Sequence, residues 1–424
     1  MRVGLAAGLL LGGCAAVPAG TEGPGRLRVV VETDAGGDPD DEQSLVRFLL
    51  YACEWDVEGI IANRAQARER ENRNPERTGL GIVRAQLKAY GECLPRLVEH
   101  DPRYPTLERL WSRTVSGVDD EGVRLLVAAA DSPDPRPVWF MNWGTDHGSA
   151  PSALLRALDL VLRERGPGGY ARFKSRFRLS SSDEFGDHTW KIEPPFPLWV
   201  DTFRPEIDRK RWYHRFSALT AKAGGFDVER DVRTGHGPLG ALYPTNTTHP
   251  QKEGDSMSFL YLLPTGMNDP ERPDAGSWGG RYGLQDGAGP RRYYWANQAD
   301  SWQGTTDRDN TVRRWAVALQ NDFKARMDWC VTGRGGANHP PVVRVQGSGL
   351  AFDASASSDP DGDPLDFEWW LASEVGTGSG RLRADGPRAA LDVLSPGELH
   401  VVVAVTDRGT PPLTRYRRLV LPGR

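Results

Sequence analysis

Residues 27–50 read LRVVVETDAGGDPDDEQSLVRFLL, and the change of period inside them decides the fold. Residues 27–32 are apolar and β-branched, which predicts a buried strand. Across 40–53 the apolar residues Leu45, Phe48, Leu49 and Ala52 fall at i, i+3, i+4 and i+7, the pattern of a helix with one apolar face. Gly36 and Gly37 permit the tight turn between them. The alternation continues outward. Residues 57–62 and 137–142 read as strands, a further strand ends at Ser180, and 78–90, 121–130 and 151–163 read as helices. A last helix over 311–327 would carry Trp315, Leu319, Phe323 and Met327 on one core stripe. Strands alternating with helices predict an α/β domain with a mostly parallel sheet.

The texture changes after Gly333-Arg334-Gly335-Gly336. Short alternating runs at 342–345, 365–371 and 399–406, separated by Gly, Pro and Asp, predict a small all-β sandwich. Two glycines and two prolines flank Asn338, so few contacts are expected to cross 333–340. Asp359, Asp361 and Asp363 sit at two-residue spacing, which suits calcium but more commonly marks an Asp-rich turn.

The 424 residues suffice for two or three domains. A formal charge of -4, from 53 basic and 57 acidic residues, argues against nucleic-acid binding by bulk electrostatics. Residues 1–13 read as a signal peptide, too short to span a bilayer as a mature anchor. Leu11-Gly12-Gly13-Cys14 resembles a bacterial lipobox; the other reading is ordinary cleavage within 15–19. Either way export is expected, to the periplasm or outer membrane as a lipoprotein, or secreted, with membrane contact only through a lipid on Cys14. Cys53, Cys93 and Cys330 remain and read as structural.

Residues 32–41, ETDAGGDPDD, carry the chemistry. They place four aspartates and a glutamate where a strand hands over to a helix, the carboxyl edge at which α/β sheets bind ligands. Carboxylates this close repel one another unless a cation or raised pKa values relieve them. A hard divalent ion, calcium above all, accepts six to eight oxygens in irregular geometry. Helix capping explains Asp40 and Asp41 but not Asp34, which lies on the strand side.

Other polar groups are candidates too. Asn142 ends a strand and would reach the same edge, followed by His147 as an acid or a solvated loop residue. Trp190 follows Asp183, Glu184 and His188 in a substrate loop or a surface loop, and Glu253 could serve as a second carboxyl acid. Trp278, Trp295 and Trp302 could stack on sugar rings or pack a long loop. Ser256 and Ser258 lack a Gly-x-Ser-x-Gly elbow, so a serine hydrolase is not supported.

Residues 34–45 (DAGGDPDDEQSL), 253–260 (EGDSMSFL) and 276–282 (GSWGGRY) together resemble the nucleoside hydrolase-like family, in the branch labelled cellulose-binding protein with a C-terminal Ig-like domain. The run ASASSDPDGDPLDF at 354–367 is similar to the opening of Ig-like modules of the polycystic-kidney-disease type. The resemblance implies a Rossmann-like hydrolase domain over 27–330 and an Ig-like β-sandwich over 338–424. It implies Asp34, Asp41 and Asp255 as calcium ligands, Asp34 also as the base, and Asp40 gripping a ribose hydroxyl. Asn142, Glu253 and Trp190 complete the candidate substrate-binding set. The implied reaction is hydrolysis of an N-glycosidic bond in a small nucleoside or carbohydrate, by an ion-held water attacking the anomeric carbon. Gly254 stands where the family commonly has a histidine, which puts leaving-group protonation in question. The alternative is a non-catalytic carbohydrate-binding (cellulose-binding) protein that uses the same ion to grip sugar diols. The oligomeric state is left open.

Overall fold

A computed structural model describes residues 25–37, 39–68, 77–144, 148–181, 185–202, 213–245 and 251–423. The expected leader with Cys14, Asp38, His147, Asp183 and Glu184 lie outside the described residues.

The first half alternates strand and helix: β1 (Leu27–Thr33), α1 (Pro39–Leu50), β2 (Trp55–Ala62), α2 (Gly79–His100), α3 (Leu107–Ser112), β3 (Thr114–Ser116), α4 (Glu121–Asp131), β4 (Val138–Asn142), α5 (Ala153–Ser175) and β5 (Phe177–Ser181). Then come α6 (Asp187–Trp190), β6 (Trp199–Asp201), α7 (Tyr213–Thr220), α8 (Gly237–Ala241), α9 (Ser256–Leu260), β7 (Gly283–Leu284) and β8 (Tyr293–Trp295). A hairpin of β9 (Asp300–Trp302) and β10 (Thr305–Asp307) precedes α10 (Asn310–Arg313) and α11 (Ala316–Trp329). The remainder is all strand: β11 (Gln346–Ser348), β12 (Ala351–Asp353), β13 (Leu365–Leu371), β14 (Ser379–Asp385), β15 (Arg388–Ser395), β16 (Leu399–Asp407) and β17 (Thr414–Leu421).

Eight strands form one sheet in the order β3-β2-β1-β4-β5-β6-β8-β7, parallel except for β7. β1 pairs in parallel with both β2 and β4, so its centre, Val29–Val31, is apolar on both faces, while the buried Arg28, Glu32 and Thr33 at its ends are hydrogen-bonded. Val29 and Val31 pack into the cluster that includes Leu45, Phe48 and Val83, and Val30 into the opposite cluster with Leu126, Leu154 and Phe177. Because the chain leaves β1 toward β2 on one side and later returns as β4 on the other, the carboxyl ends of β1 and β4 flank a crevice. The acidic turn follows β1, and Trp143 and Gly144 follow β4, at this edge. Among the described residues no helix is long and apolar enough to cross a membrane.

Three helices differ from the sequence reading. α2 continues past Tyr90 to His100 because Cys93 and Leu97 extend its buried stripe. Gly91 is no stop there; a Cβ on it would lie 2.6 Å from the Leu107 side chain, so it lets α3 approach. Gly166, at φ 63° ahead of Pro167, breaks the regular helix inside α5. The stretch read as one helix over 311–327 divides into α10 and α11, which places Trp315 at the joint, half-buried and packed against the edge of the core.

The C-terminal strands form a four-stranded sheet, β11-β12-β15-β14, and a three-stranded sheet, β13-β16-β17. Trp369, Val401, Val403 and Val405 fill the space between them with Phe352 and Leu391. Residues 342–345 make only an isolated bridge, Val342 to Ser358. Asp359 accepts from the backbone of Asp361 and Asp363, and Asp361 holds His339, which is turn geometry.

Contacts between the two parts are many, contrary to the expectation of a thinly connected boundary. Period-two alternation explains this: Val401, Val403 and Val405 face the sandwich, whereas Val402, Ala404 and their neighbour Tyr416 join the main α/β core. The Tyr416 and Arg418 amides donate to the carbonyls of Thr265 (2.9 Å) and Gly266 (3.0 Å). Gly266 is at φ 90°, and a Cβ there would lie 1.9 Å from the Tyr416 carbonyl oxygen, so only glycine admits this contact. Arg415 pairs with Asp322 at 2.6 Å and Arg272 with Glu398 at 3.1 Å. At the connection itself His100 and His339 hydrogen-bond at 2.8 Å, and both stack on Trp329.

Two outcomes follow for stability. Tyr416→Ala should cost about 3–5 kcal/mol and lower the unfolding of both parts together in a single calorimetric transition. Two separate transitions with only one displaced would show the parts to be independent. Burial holds the His100 and His339 imidazoles below the usual histidine value, against the Thr332 carbonyl and Asp361, which favour the charged form. Their contribution is therefore complete above an unfolded value of about 6.5 and is lost as pH falls through it toward the depressed folded values. The midpoint of His339→Gln should fall less than that of wild type between about pH 8 and about pH 5.

Candidate functional site

The first turn of α1 supplies Asp40 and Asp41, whose charges suit the positive end of a helix. Asp255 immediately precedes α9. Asp40, Asp41 and Asp255 are all buried, and each offers a carboxylate oxygen within 4.8 Å of the other two. Asp41 Oδ1 accepts from the Thr33 hydroxyl at 2.5 Å and the Asp34 amide at 3.1 Å, which ties it to the end of β1. Asp255 Oδ2 is buried without a hydrogen-bond partner. Lys252 Nζ lies 3.4 Å from Asp40 Oδ2 and brings one positive charge to the group.

Burial, followed by the charges of Asp255, Asp34 and Asp40, pushes the Asp41 carboxyl well above the ordinary aspartate value. Burial, then Asp40 and Asp34, does the same to Asp255, with Lys252 opposing. Three buried carboxylates, with one oxygen of Asp255 unsatisfied, suit a hard cation.

Asp34 adjoins this triad, its carboxylate acting on Asp41 by charge and by side-chain contact. Its Oδ2 accepts from the Ser149 hydroxyl at 3.1 Å and lies 3.8 Å from Arg64 Nη1. A Cβ on Gly37 would come within 3.0 Å of Asp34 Oδ2 and 2.8 Å of Arg64 Nη1, and Gly36 is at φ 89°; the turn requires both glycines. The structure thus brings Asp40, Asp41 and Asp255 together at this edge, with the Asp34 carboxylate next to that of Asp41.

Asn142 does reach this edge. It is buried, pairs in register with Glu32, and its Oδ1 accepts from the Gly144 amide at 2.9 Å. Glu253 is placed differently from the expected substrate contact. Its fully buried carboxylate accepts from Tyr243 (2.6 Å), Gln251 (3.0 Å) and Ser256 (3.0 Å) and forms an ion pair with Arg47. These contacts fasten the loop that carries it. Trp190 is likewise a packing residue, edge-on to Tyr293 at 5.4 Å and Trp199 at 6.5 Å, because α6 lies on the core cluster of the opposite sheet face. Trp278 is wholly buried against Tyr416.

Sequence reasoning missed the clamp that sets Asp255 against α1. Gln43 Oε1 accepts from the amides of Lys252 (2.7 Å) and Glu253 (3.1 Å), Ser256 bonds Ser44 at 3.2 Å, and Arg47 holds Glu253. Gln43 and Arg47 are four apart on a helix buried along its whole length, and polar residues on such a helix are the available signal. Glu32, counted only as part of the acidic run, accepts from the Ser152 hydroxyl (2.7 Å) and the Ala153 amide (2.8 Å) and so anchors the start of α5 to β1.

Residues 28–282 match the family described as cellulose-binding Sde182, nucleoside hydrolase-like domain. The chain belongs to that family. Residues 349–422 match the companion C-terminal domain of cellulose-binding protein Sde0182. A solved structure of a nucleoside hydrolase-related hypothetical protein from Saccharophagus degradans, described as associated with carbohydrate metabolism, is similar at 28% identity and TM-score 0.73. The similarity covers 94% of this chain and 100% of that one. No curated protein matches the chain. All four aspartates and the clamp residues Gln43, Ser44, Arg47 and Glu253 fall within the Sde182-like part.

Removing one partner of the buried Arg47–Glu253 pair strands the other charge. Glu253→Ala should therefore lower unfolding free energy by about 3–5 kcal/mol in denaturant titration, and Trp190→Phe by far less. A loss for Glu253→Ala within about 0.5 kcal/mol, the range of ordinary surface changes, would contradict the clamp.

Proposed function

We propose that the chain is an exported, calcium-dependent hydrolase of N-glycosidic bonds in a nucleoside or related glycosyl compound. The observation that carries this reading is the unpartnered buried oxygen of Asp255 beside Asp40 and Asp41. These three would hold the ion, which when bound supplies positive charge and Lewis acidity toward sugar hydroxyls and water. Asp34 would take the proton of the attacking water, with Ser149 and Arg64 fixing its Oδ2. Its Oδ1 lies on the side of Gly144, where a Cβ would come no nearer than 4.0 Å. Asn142 would shape the neighbouring turn through its bond to the Gly144 amide.

The second reading is a carbohydrate-binding protein that retains the ion without turnover. Gly254 favours it, since it offers no acid for the leaving group next to Asp255.

Titration calorimetry should find one calcium per chain, abolished in Asp255→Ala. Asp34→Asn keeps an oxygen but cannot accept the proton, so it should bind calcium within severalfold of wild type while turnover on nucleosides or N-glycosides falls about 100-fold or more. Undiminished turnover in Asp34→Asn would overturn its role as base. Wild type that binds calcium and sugar without turnover would establish the second reading.

A further inference from the structure

The geometry points to a disulfide between Cys93 and Cys330, a covalent staple joining α2 to the turn that ends α11. Cys93 lies within α2 and Cys330 directly follows α11. They are more than two hundred residues apart in sequence, yet both are buried in the same core cluster. Their side chains meet there, the Cys330 thiol donating to the Cys93 sulfur. Both are free thiols in this structure, and bond formation shortens their contact to about 2.05 Å.

The surrounding segments hold the two sulfurs together. His100, two turns after Cys93 along α2, stacks on Trp329 at 5.0 Å and hydrogen-bonds the Thr332 carbonyl at 2.8 Å. α2 therefore touches the chain on both sides of Cys330. Gly237 closes a further side: it is at φ 75°, and a Cβ on it would lie 3.5 Å from Cys93 Sγ and 3.2 Å from the Val331 side chain. Cys330 Sγ is otherwise 3.7 Å from the Arg326 carbonyl one turn back, a weak contact that bond formation gives up at little cost.

The third core cysteine has a different setting. Cys53 Sγ accepts from Arg326 Nη1 at 3.3 Å, and burial pushes its thiol up to about 12, so it stays protonated. Pairing is thereby confined to Cys93 and Cys330.

The oxidant is a donor disulfide, small or on a protein. One cysteine thiolate attacks it, forming a mixed disulfide and expelling one donor thiolate; the other cysteine loses its proton and attacks the bonded protein sulfur, expelling the second. The protein gives up two electrons and two protons, and the donor disulfide becomes two thiols. Cys93 and Cys330 are only 1% and 4% exposed in the folded chain, so exchange takes place while α2 and α11 are still closing on each other, and the finished bond is sealed. Disulfides persist in oxidising compartments outside the cytosol. The bond would restrict the unfolded chain by closing a long loop. It would also brace the connection to the sandwich, because Trp329, next to Cys330, stacks on both His100 and His339. No residue of the proposed calcium site takes part.

The test is a disulfide map of the full chain, synthesised and folded in buffer with oxidised glutathione, then denatured in iodoacetamide and digested. Mass spectrometry should show Cys53 alkylated and one reductant-sensitive peptide pair joining Cys93 to Cys330. The melting midpoint of this preparation should exceed that of chain folded in dithiothreitol by several degrees. Cys93→Ser, Cys330→Ser and the double variant should each abolish that difference, and Cys53→Ser should keep it. Thiols that only pack the core would give no difference between the two preparations. Alkylation of both Cys93 and Cys330 in the oxidised preparation, or a linked pair of any other composition, overturns the proposal and leaves the calcium-site reading as it stands.

Discussion

Four carboxylates at one sheet edge, three of them close enough to share an ion, are the constraint around which the α/β part is arranged. Buried together they repel, and each also loses hydration, so the fold must hold them against both effects. β1 supplies Thr33 and the Asp34 amide to orient Asp41, and the start of α1 faces Asp40 and Asp41 with its positive end. Lys252 and Arg64 bring counter-charge from either side. Asp255 arrives more than two hundred residues later in sequence, and the clamp of Gln43, Ser44, Arg47 and Glu253 is what brings it to α1. One helix thus carries two of the acidic groups on its first turn and the fastening for the third on its next ones.

The sandwich is equally bound into the structure. Its three-stranded sheet gives one face to its own core and the other to the α/β part, with Val402, Ala404 and Tyr416 embedded in the larger core. Backbone pairing of β17 with Thr265 and Gly266 continues from the polypeptide that follows α9. The C-terminal part and the segment carrying Asp255 are therefore neighbours in structure.

The sequence made the sheet legible because the middles of β1 and β4 and the end of β2 are buried and read as short apolar runs, Val29–Val31, 138–141 and 60–62. It made the acidic turn legible because like charges crowd there. What it hid was long-range. Glu253 looks like a spare acid beside Asp255, and only its partners, Arg47 and Tyr243, reveal it as a fastening. Trp190, Trp278 and Trp302 are alike as letters, yet one packs on the sheet, one is sealed at the junction, and one lines a cleft. Asp34 is legible as part of the acidic run, but its contacts with Arg64 and Ser149, distant in sequence, are not. The boundary near 333–340 was visible as composition, but composition does not report the outward face of a strand such as β16.

The central claim is that Asp40, Asp41 and Asp255 form a calcium site. It is tested most directly by anomalous diffraction from crystals grown with calcium. The account predicts a single anomalous peak among these carboxylates, with oxygens at about 2.3–2.6 Å and Asp255 Oδ2 among them. A structure with calcium in the medium, no peak there, and the Lys252 ammonium paired with all three carboxylates would contradict it.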